Sequence, residues 1–555
     1  MSHNVTSEFS FLERRLEGLT PITEEMQSVN SNQESAPKLR PGVLRHVKSF
    51  PVRRTGPTII AWEPDDPENP YNWPTYKKLH VLSVSGAMVV NSAMGSSLPS
   101  MAAPDIMEQF SITSREQKVL LVSIYLIGHI LGPLLWGPLS EQLGRRNVNL
   151  VTFFAFCLFT MACALAPNWS GLVALRLFCG VFGSAPAAII AGIIRDIYSD
   201  PMTRGRVIVV CISLTIVGPI LSPIISGFAT PALGWRWTFW IGLIVAGITF
   251  ILGLFIPETF GPILLSRRAK QLRRQSQSIN ILAPRDLENV DISEFVTVVF
   301  TRPLRMIAFE PIVTSTCAYM ALVHGIFYLS FQAFPIIFQD MYGLPAGVTG
   351  LAFLPIGVGA LFSLPIFWAW DAILHKATAR NAEWTKREEY RRLPLACIGG
   401  PLFVISLFWL GWSARPSTTF VIPMLAGVPF GMGYMMIVMC LLNYMSDTYE
   451  AFAVSADVAT SLSQSVLAAA LPFATSPMFT RLDITGAYSL LGGLSACMCI
   501  IPFIFIWKGP NSRARSPFCM ILRERREELL QEAEEERQAQ MFAELEEKVE
   551  IISVK

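Results

Sequence analysis

Apolar residues run for about 20 positions at a time between short polar breaks, and the pattern repeats along most of the chain. A helix needs about 20 such residues to cross the hydrocarbon layer of a bilayer, so each run predicts a membrane span. Twelve runs qualify, near residues 80–100, 118–140, 148–166, 171–193, 207–228, 237–256, 311–337, 346–371, 393–412, 419–444, 453–478 and 486–507. Spans 7 and 8 are the least sharply divided, because the intervening QDMYGLPAGVTG is only weakly polar. The spans fall as six and six about a polar stretch that contains RRAKQLRRQSQ. The expected fold is an all-α membrane protein of twelve transmembrane helices in two pseudo-symmetric six-helix bundles, residues 79–257 and 310–508. Around them lie an N-terminal tail (1–78), expected to be largely disordered, a central loop (258–309) and an acidic C-terminal tail (509–555).

Composition supports the membrane assignment. The chain has 555 residues, 52% hydrophobic and 15% charged, with a mean hydropathy of +0.44, whereas soluble domains carry about 25% charged residues. A formal net charge of +2 leaves no basic excess for wrapping nucleic acid. Nearly all the cysteines, among them Cys157, Cys163, Cys179, Cys211, Cys440 and Cys499, fall inside apolar runs without paired spacing. They are expected to be packing residues, with no disulfide framework and no metal site. No short apolar core follows Met1, so the first span is expected to act as its own insertion signal.

Basic residues orient the spans, since Lys and Arg are retained on the cytoplasmic side. With the N-terminus inside, the inner loops hold Arg145, Arg146, Arg195, Arg204, Arg206, the run from Arg267 to Arg305 and the run from Lys376 to Arg392. Only Arg115, Lys118, Arg236, Arg415 and Arg481 lie in or beside outer loops, so both termini are expected to be cytoplasmic. The sequon at Asn168 then falls in a short outer loop poorly suited to glycosylation. The two halves also echo each other: IGHILGPLLWGP near the end of span 2 and IGVGALFSLPIFWAWD near the end of span 8 are both Gly/Pro-rich and Trp-containing. Internal duplication of this kind is a feature of transporters built from paired bundles.

After span 2 the apolar run GPLLWGPLSEQLGRR ends abruptly in charge. Its segment from Gly137 through Glu141 and Gly144 to Arg145 and Arg146 resembles the loop between spans 2 and 3 of the major facilitator superfamily, with Glu141 where Asp is usual and Gln142 where a base is usual. In span 4, Leu172, Arg176 and Gly180 are similar to the family pattern L-x-x-x-R-x-x-x-G. In span 5, Gly218, Pro219, Pro223 and Gly227 are similar to its antiporter motif, with Ser222 and Ser226 at glycine positions. DPENPYNWPTYKK, GWRWTFWI, NYMSDTYE and PFIFIWKGPNSRARSPF extend the resemblance, over roughly residues 63–519, to the fungal branch of twelve-span drug:proton antiporters. Span 11 departs from that branch, with Gln464 where a base is more usual.

The resemblance implies alternating access driven by the proton gradient, with no cofactor and no enzymatic activity, in a monomer of the plasma membrane. It assigns Arg176 to proton coupling, for which a guanidinium inside an apolar helix is a fitting candidate because burial there is costly without a function. His129 is a second candidate, since its imidazole titrates near neutral pH. Gly137, Glu141, Gly144, Arg145, Arg146, Asp196 and Arg204 are expected to form a cytoplasmic latch. Candidate substrate contacts are Asn91, Tyr125, Tyr328, Phe331, Gln332, Tyr434 and Asn443, with His324 as a weaker candidate. The expected partners are a small-molecule substrate, protons and the lipid bilayer. The leading function is efflux of small, largely apolar organic molecules such as drugs, toxins or secondary metabolites. The alternatives are a nutrient or polyamine transporter on the same fold, and a membrane enzyme or non-transporting receptor. The antiporter-like span 5 disfavours the first alternative, and the absence of HExxH, P-loop and G-x-S-x-G motifs disfavours an enzyme and a self-powered pump.

Overall fold

Ten helices among the described residues are long and apolar enough to cross a bilayer, and two details bring the crossings to the expected twelve. The first run forms a 23-residue helix, Thr75–Ser97, about 34 Å long at 1.5 Å per residue but diluted in hydropathy by Ser83, Ser85, Asn91, Ser92 and Ser96. The last candidate, Ala453–Asn511, covers 59 residues, far more than one crossing requires. Its backbone leaves helical geometry at Asp483 (φ 57°, ψ 177°), which separates spans 11 and 12. This computed structural model describes residues 58–63, 65–276, 281–287, 292–449 and 452–516, with isolated positions beyond. The expectations for residues 1–57 and for most of the acidic tail fall outside the described residues.

Span 1 is Thr75–Ser97, span 2 Arg115–Leu143, span 3 Arg145–Ala164, and span 4 the consecutive helices Trp169–Gly183 and Ala185–Ile197. Spans 5 and 6 are Pro201–Leu233 and Arg236–Gly253. Span 7, Pro311–Phe334, continues into a π-helical turn, Pro335–Met341, and a short helix, Ala346–Leu351, leads into span 8, Leu354–Ala379. The weakly polar stretch between spans 7 and 8 is thus itself mostly helical. Spans 9 and 10 are Pro394–Ser413 and Gly427–Tyr449. Caps set local boundaries: the Asn168 side chain accepts from Gly171 N at 2.7 Å to open span 4, and Asp200 accepts from Thr203 N at 2.8 Å to open span 5. Burial differs sharply between spans: 89% of the apolar window of span 7 is inside the protein, against 33% for the segment that carries spans 11 and 12.

Two compact units result, one reaching Thr301 and including Ala346–Gly350, the other Arg302–Pro345 with the chain from Leu351 onward. In the first, a core centred on Met88, Leu98, Tyr125, Phe153, Phe156, Leu172, Ile189 and Phe239 joins spans 1 to 4 and 6. Within residues 1–78, expected to be a largely disordered tail, the described residues from 58 onward carry defined structure. A two-residue strand β1 (Thr58–Ile59) pairs in parallel with β2 (Ile281–Leu282), Pro70–Asn72 forms a 3-10 turn, and span 1 begins at Thr75. Its order comes from apolar anchors, Ile60, Trp62 and Trp73, in an otherwise polar segment. The central loop is likewise largely helical, through Gly261–Ser276, Pro284–Leu287 and Ile292–Phe309. At the other end, the final helix runs past residue 509 to Arg515.

Candidate functional site

The turn between spans 2 and 3 is set by Gly144, whose φ of +100° disfavours any side chain. It delivers Arg145 into a pocket of polar groups on the first turn of span 3. The guanidinium is 8% exposed, and its Nε meets Asp196 Oδ2 at 3.3 Å. One terminal nitrogen lies 3.4 Å from Glu141 Oε1, and the other donates to Ser140 Oγ at 2.6 Å. The Phe260 ring centroid lies 5.0 Å from Arg145 Cζ. Span 4 comes close enough to hold Asp196 here because Gly192 faces the guanidinium, leaving no room for a side chain. Glu141, Arg145 and Asp196, from the adjoining ends of spans 2, 3 and 4, are therefore brought together.

Other expected members of this group fare differently. Arg146 donates to Leu254 O at 2.9 Å, placing a cation at the C-terminal end of span 6, where the helix dipole favours it. Gly137 faces open space, with nothing within 4 Å of an added Cβ. Arg204 makes no hydrogen bond or ion pair to Glu141, Arg145 or Asp196 among the described residues. Instead, its charge acts on the Tyr71 phenol, which burial and the Asp196 carboxylate push up and Arg204 draws down.

Sequence reasoning missed Glu258, just after span 6. Its buried carboxylate accepts from Arg145 N at 3.0 Å, Thr259 N at 3.0 Å and Phe260 N at 3.1 Å. It thereby takes up an otherwise unpaired amide at the start of span 3 and secures its own loop. Thr259 Oγ1 adds a contact to Asp196 Oδ2 at 3.4 Å. The only available signal was a lone carboxylate between span 6 and the basic helix. Also missed was Arg392, which precedes span 9 and meets Asp447 at the end of span 10 at 2.7 Å. In the second unit this pair repeats the arrangement of Arg145 with Asp196, and Asp447 lies in the motif NYMSDTYE.

Arg176 is 2% exposed. Its guanidinium donates to Gly95 O at 2.6 Å, Ser96 O at 2.8 Å and Leu121 O at 3.0 Å, with the Tyr125 ring centroid 4.8 Å from Cζ. It braces spans 1, 2 and 4, and the carbonyls of a helix end supply the negative potential that its burial demands. Gly180 of the same motif sits against the Tyr125 carbonyl, so that motif also fixes the approach of span 4 to span 2. His129 stacks near Tyr125 (6.2 Å, 23°), and its Nδ1 is buried without a hydrogen-bond partner among the described residues.

Gly218 lets span 5 approach span 1 so closely that an added Cβ would lie 2.5 Å from Met94 N. The hydroxyl of Ser222 donates to Met94 O at 2.7 Å, that of Ser226 to Ser222 O at 2.9 Å, and Pro219 O accepts from Ser97 at 3.3 Å. Both serines at glycine positions fold their hydroxyls onto backbone carbonyls, so the helix contact survives the departure from the motif. At Gly227 an added Cβ would lie 2.5 Å from Ala346 O, within the same unit.

The candidate substrate residues divide by unit. In the first, Asn91 donates to Thr249 Oγ1 at 2.9 Å and Tyr125 to Ser92 O at 2.7 Å, so both fasten helices together. In the second, Tyr328 and Tyr434 flank His324, whose Nδ1 lies 2.7 Å from Tyr434 Oη and whose ring centroid is 5.1 Å from that of Tyr328, and Phe331 lies beyond, 5.6 Å from Tyr328. Phe331 stacks on Phe353 at 4.9 Å. Gln332 is buried on the same span. Asn443 lies nine residues beyond Tyr434 on span 10, about 13 Å further along the helix, and does not join the aromatic group.

The major facilitator superfamily model matches residues 86–472. The chain is 36% identical over 464 residues to a citrinin biosynthesis cluster MFS transporter of Monascus ruber, covering 83% of this chain and 92% of that one. It is 34% identical over 466 residues to an ascochitine biosynthesis cluster MFS transporter of Didymella fabae, covering 83% and 89%. With an uncharacterized MFS-type transporter of Schizosaccharomyces pombe it shares 34% identity over 496 residues, covering 89% and 94%. Among solved structures, the proton:xylose symporter XylE has the same fold at a TM-score of 0.56 and 17% identity, covering 79% of this chain and 96% of that one. The human organic anion transporter MFSD10 matches at 0.56 and 15% identity, covering 78% and 100%. Twelve crossings, the charged turn after span 2 and these likenesses together make the chain a multi-pass membrane transporter of the major facilitator superfamily, grouped with fungal MFS transporters, and not an enzyme.

Proposed function

We propose that the protein exports small, largely apolar organic molecules in exchange for protons, by alternating access, as a monomer in the plasma membrane with both termini cytoplasmic. The observation that carries this reading is the close seat of span 5 on span 1 at Gly218, the feature that the sequence resemblance ties to antiport. The names of two relatives add support for the cargo class, since both refer to biosynthesis clusters of small organic products.

Glu141, Arg145 and Asp196 hold the inner ends of spans 2, 3 and 4 together, and they must part when the inner mouth opens. Arg176 stays charged and acts as a fixed positive charge within the first unit. His129 is the titratable side chain that the sequence offers for the proton; its Nδ1 is buried without a partner here, so protonation requires the site to open to water or to a new partner. The aromatic group of Tyr328, Phe331 and Tyr434 offers flat apolar surface with one hydrogen-bonding pair, His324 and Tyr434, suited to a neutral aromatic cargo. No Asp or Glu lies in the middle of spans 1, 4, 7 or 10, which suits neutral cargo better than polyamines.

The test is gradient-driven flux in proteoliposomes loaded with Nile red, a small neutral dye, or with members of a compound panel. Efflux that needs an opposing proton gradient supports the proposal. Uptake that follows the proton gradient, or flux indifferent to it, refutes it.

A further inference from the structure

The segment before span 1 and the helix after span 6 are far apart in sequence, yet the fold clips them together beside the charged turn. β1 pairs with β2, and Ile60 N donates to Leu282 O at 3.0 Å. Two residues of strand pairing have little stability of their own. An apolar patch of Ile60, Leu265, Ala269 and Ala283 supports them, flanked by Trp62, Leu272 and Ile281. Over this patch Asp66, whose side chain is 2% exposed, forms an ion pair with Arg268, and Arg268 also lies 5.9 Å from the Trp62 ring centroid. Asp286 accepts from Ser266 at 3.1 Å and pairs with Arg273, tying the next short helix back onto Gly261–Ser276.

This assembly touches the charged turn at both ends. At one end Glu258 accepts from the amide of Arg145. At the other Arg285 donates to the carbonyl of Gln142, in the last turn of span 2. Gln142 is the position where the motif that this turn resembles carries a base. In this chain the cation there comes from the central loop and binds the main chain instead.

We infer that residues 58–63 and 65–73 form a clasp with residues 258–276 and 281–287, in which Asp66, Arg268 and Arg285 are positioning residues for transport, holding the turn between spans 2 and 3 so that Arg145 stays aimed at Asp196. The inference rests on the latch reading of Arg145 and Asp196 given above. Arg268→Gln strands the buried Asp66 carboxylate, Asp66→Asn leaves Arg268 with only the more distant, exposed Glu68 at 3.8 Å, and removing both strands neither. The two singles and the double therefore separate a working pair from independent residues.

The experiment uses the full-length protein in proteoliposomes, with two measurements: proton-gradient-driven Nile red flux, and trypsin cleavage at Arg267, Lys270 and Arg274, which are exposed on the clasp helix. Asp66→Asn and Arg268→Gln are each expected to speed cleavage there about 10-fold and to lower maximal flux about 10-fold, with KM within two-fold of the parent. The double variant should be no worse than the poorer single. Arg285→Ala should lower flux similarly and add nothing further in an Arg145→Ala background. Losses that add in the double, unchanged cleavage in the singles, or an Arg285→Ala loss that persists on top of Arg145→Ala overturn the clasp. Undiminished flux in Arg145→Ala overturns the latch reading and this inference with it, and is told apart from failure of the clasp contacts by the cleavage rates of the Asp66 and Arg268 variants.

Discussion

Two glycines near the same turn make opposite predictions when changed to alanine. At Gly192 an added Cβ would lie 2.6 Å from Arg145 Cζ and 2.7 Å and 2.9 Å from its two terminal nitrogens. Ordinary contact needs about 3.5 Å or more, so the guanidinium must retreat by nearly 1 Å. Its ion pairs to Asp196 and Glu141 already stand at 3.3 Å and 3.4 Å, close to the limit of hydrogen bonding, and such a retreat breaks them along with the bond to Ser140. A hydrogen bond to a charged group contributes about 1.5–3 kcal/mol. Taking a net loss of about 2 kcal/mol, the balance between the paired and parted arrangements of this turn shifts roughly 30-fold. Gly137 belongs to the motif by sequence, yet a Cβ there meets nothing within 4 Å, and Gly to Ala inside a helix gains up to about 1 kcal/mol. Gly192→Ala should therefore cut Nile red transport at least 10-fold while thermal unfolding in detergent shows an intact fold. Gly137→Ala should transport as the parent does and melt no lower. Parental transport by Gly192→Ala together with loss in Gly137→Ala would refute the reasoning.

Arg176→Lys keeps the charge but loses the fork that reaches carbonyls on two other spans, so it should lower stability by about 2–3 kcal/mol; an unchanged melting temperature would show that the bracing is idle. Ser222→Gly restores the motif residue but removes the bond to Met94 O, and is expected to cost about 1 kcal/mol of stability while transport persists. Abolished transport would show that the hydroxyl has a role beyond helix contact. Tyr434→Phe loses the bond to His324 while keeping the aromatic surface. A loss of about 1 kcal/mol in binding corresponds to a roughly 5-fold rise in KM for Nile red, and an unaltered KM would place the dye elsewhere.

The spans were legible because each is a long apolar run, and even span 1, poor in hydropathy, showed its length between Lys78 and the next polar break. The grouping of Glu141, Arg145 and Asp196 was legible because the resemblance supplied partners at the ends of three consecutive spans. Glu258, Gly192 and Arg285 were not legible. Each acts through a contact made only once distant segments fold together: Glu258 reaches a backbone amide 113 positions away, and Asp66 reaches Arg268 across 202. Neither periodicity nor charge counting records such pairings. The polar composition of residues 58–73 argued for disorder, and a few anchors, Ile60, Trp62 and Trp73, outweighed it. The candidate substrate residues are polar and aromatic side chains inside spans. Asn91 and Tyr125 show that this alone does not mark a substrate contact, since a polar side chain in a helix bundle also serves to join neighbours.

From Tyr319 to Phe338 span 7 is almost wholly buried, with exposed positions confined to its first two turns at Pro311, Thr314 and Ala318. Its greasiness therefore serves passage into the membrane during biogenesis, not residence beside acyl chains afterwards. A photoactivated carbene reagent dissolved in lipid should mark spans 6 and 12 and leave span 7 clean. Shielded in this way, the helix can carry His324 and Gln332 at bilayer depth, and the fate of substitutions along it will be decided by neighbouring side chains, with the surrounding lipid nearly irrelevant.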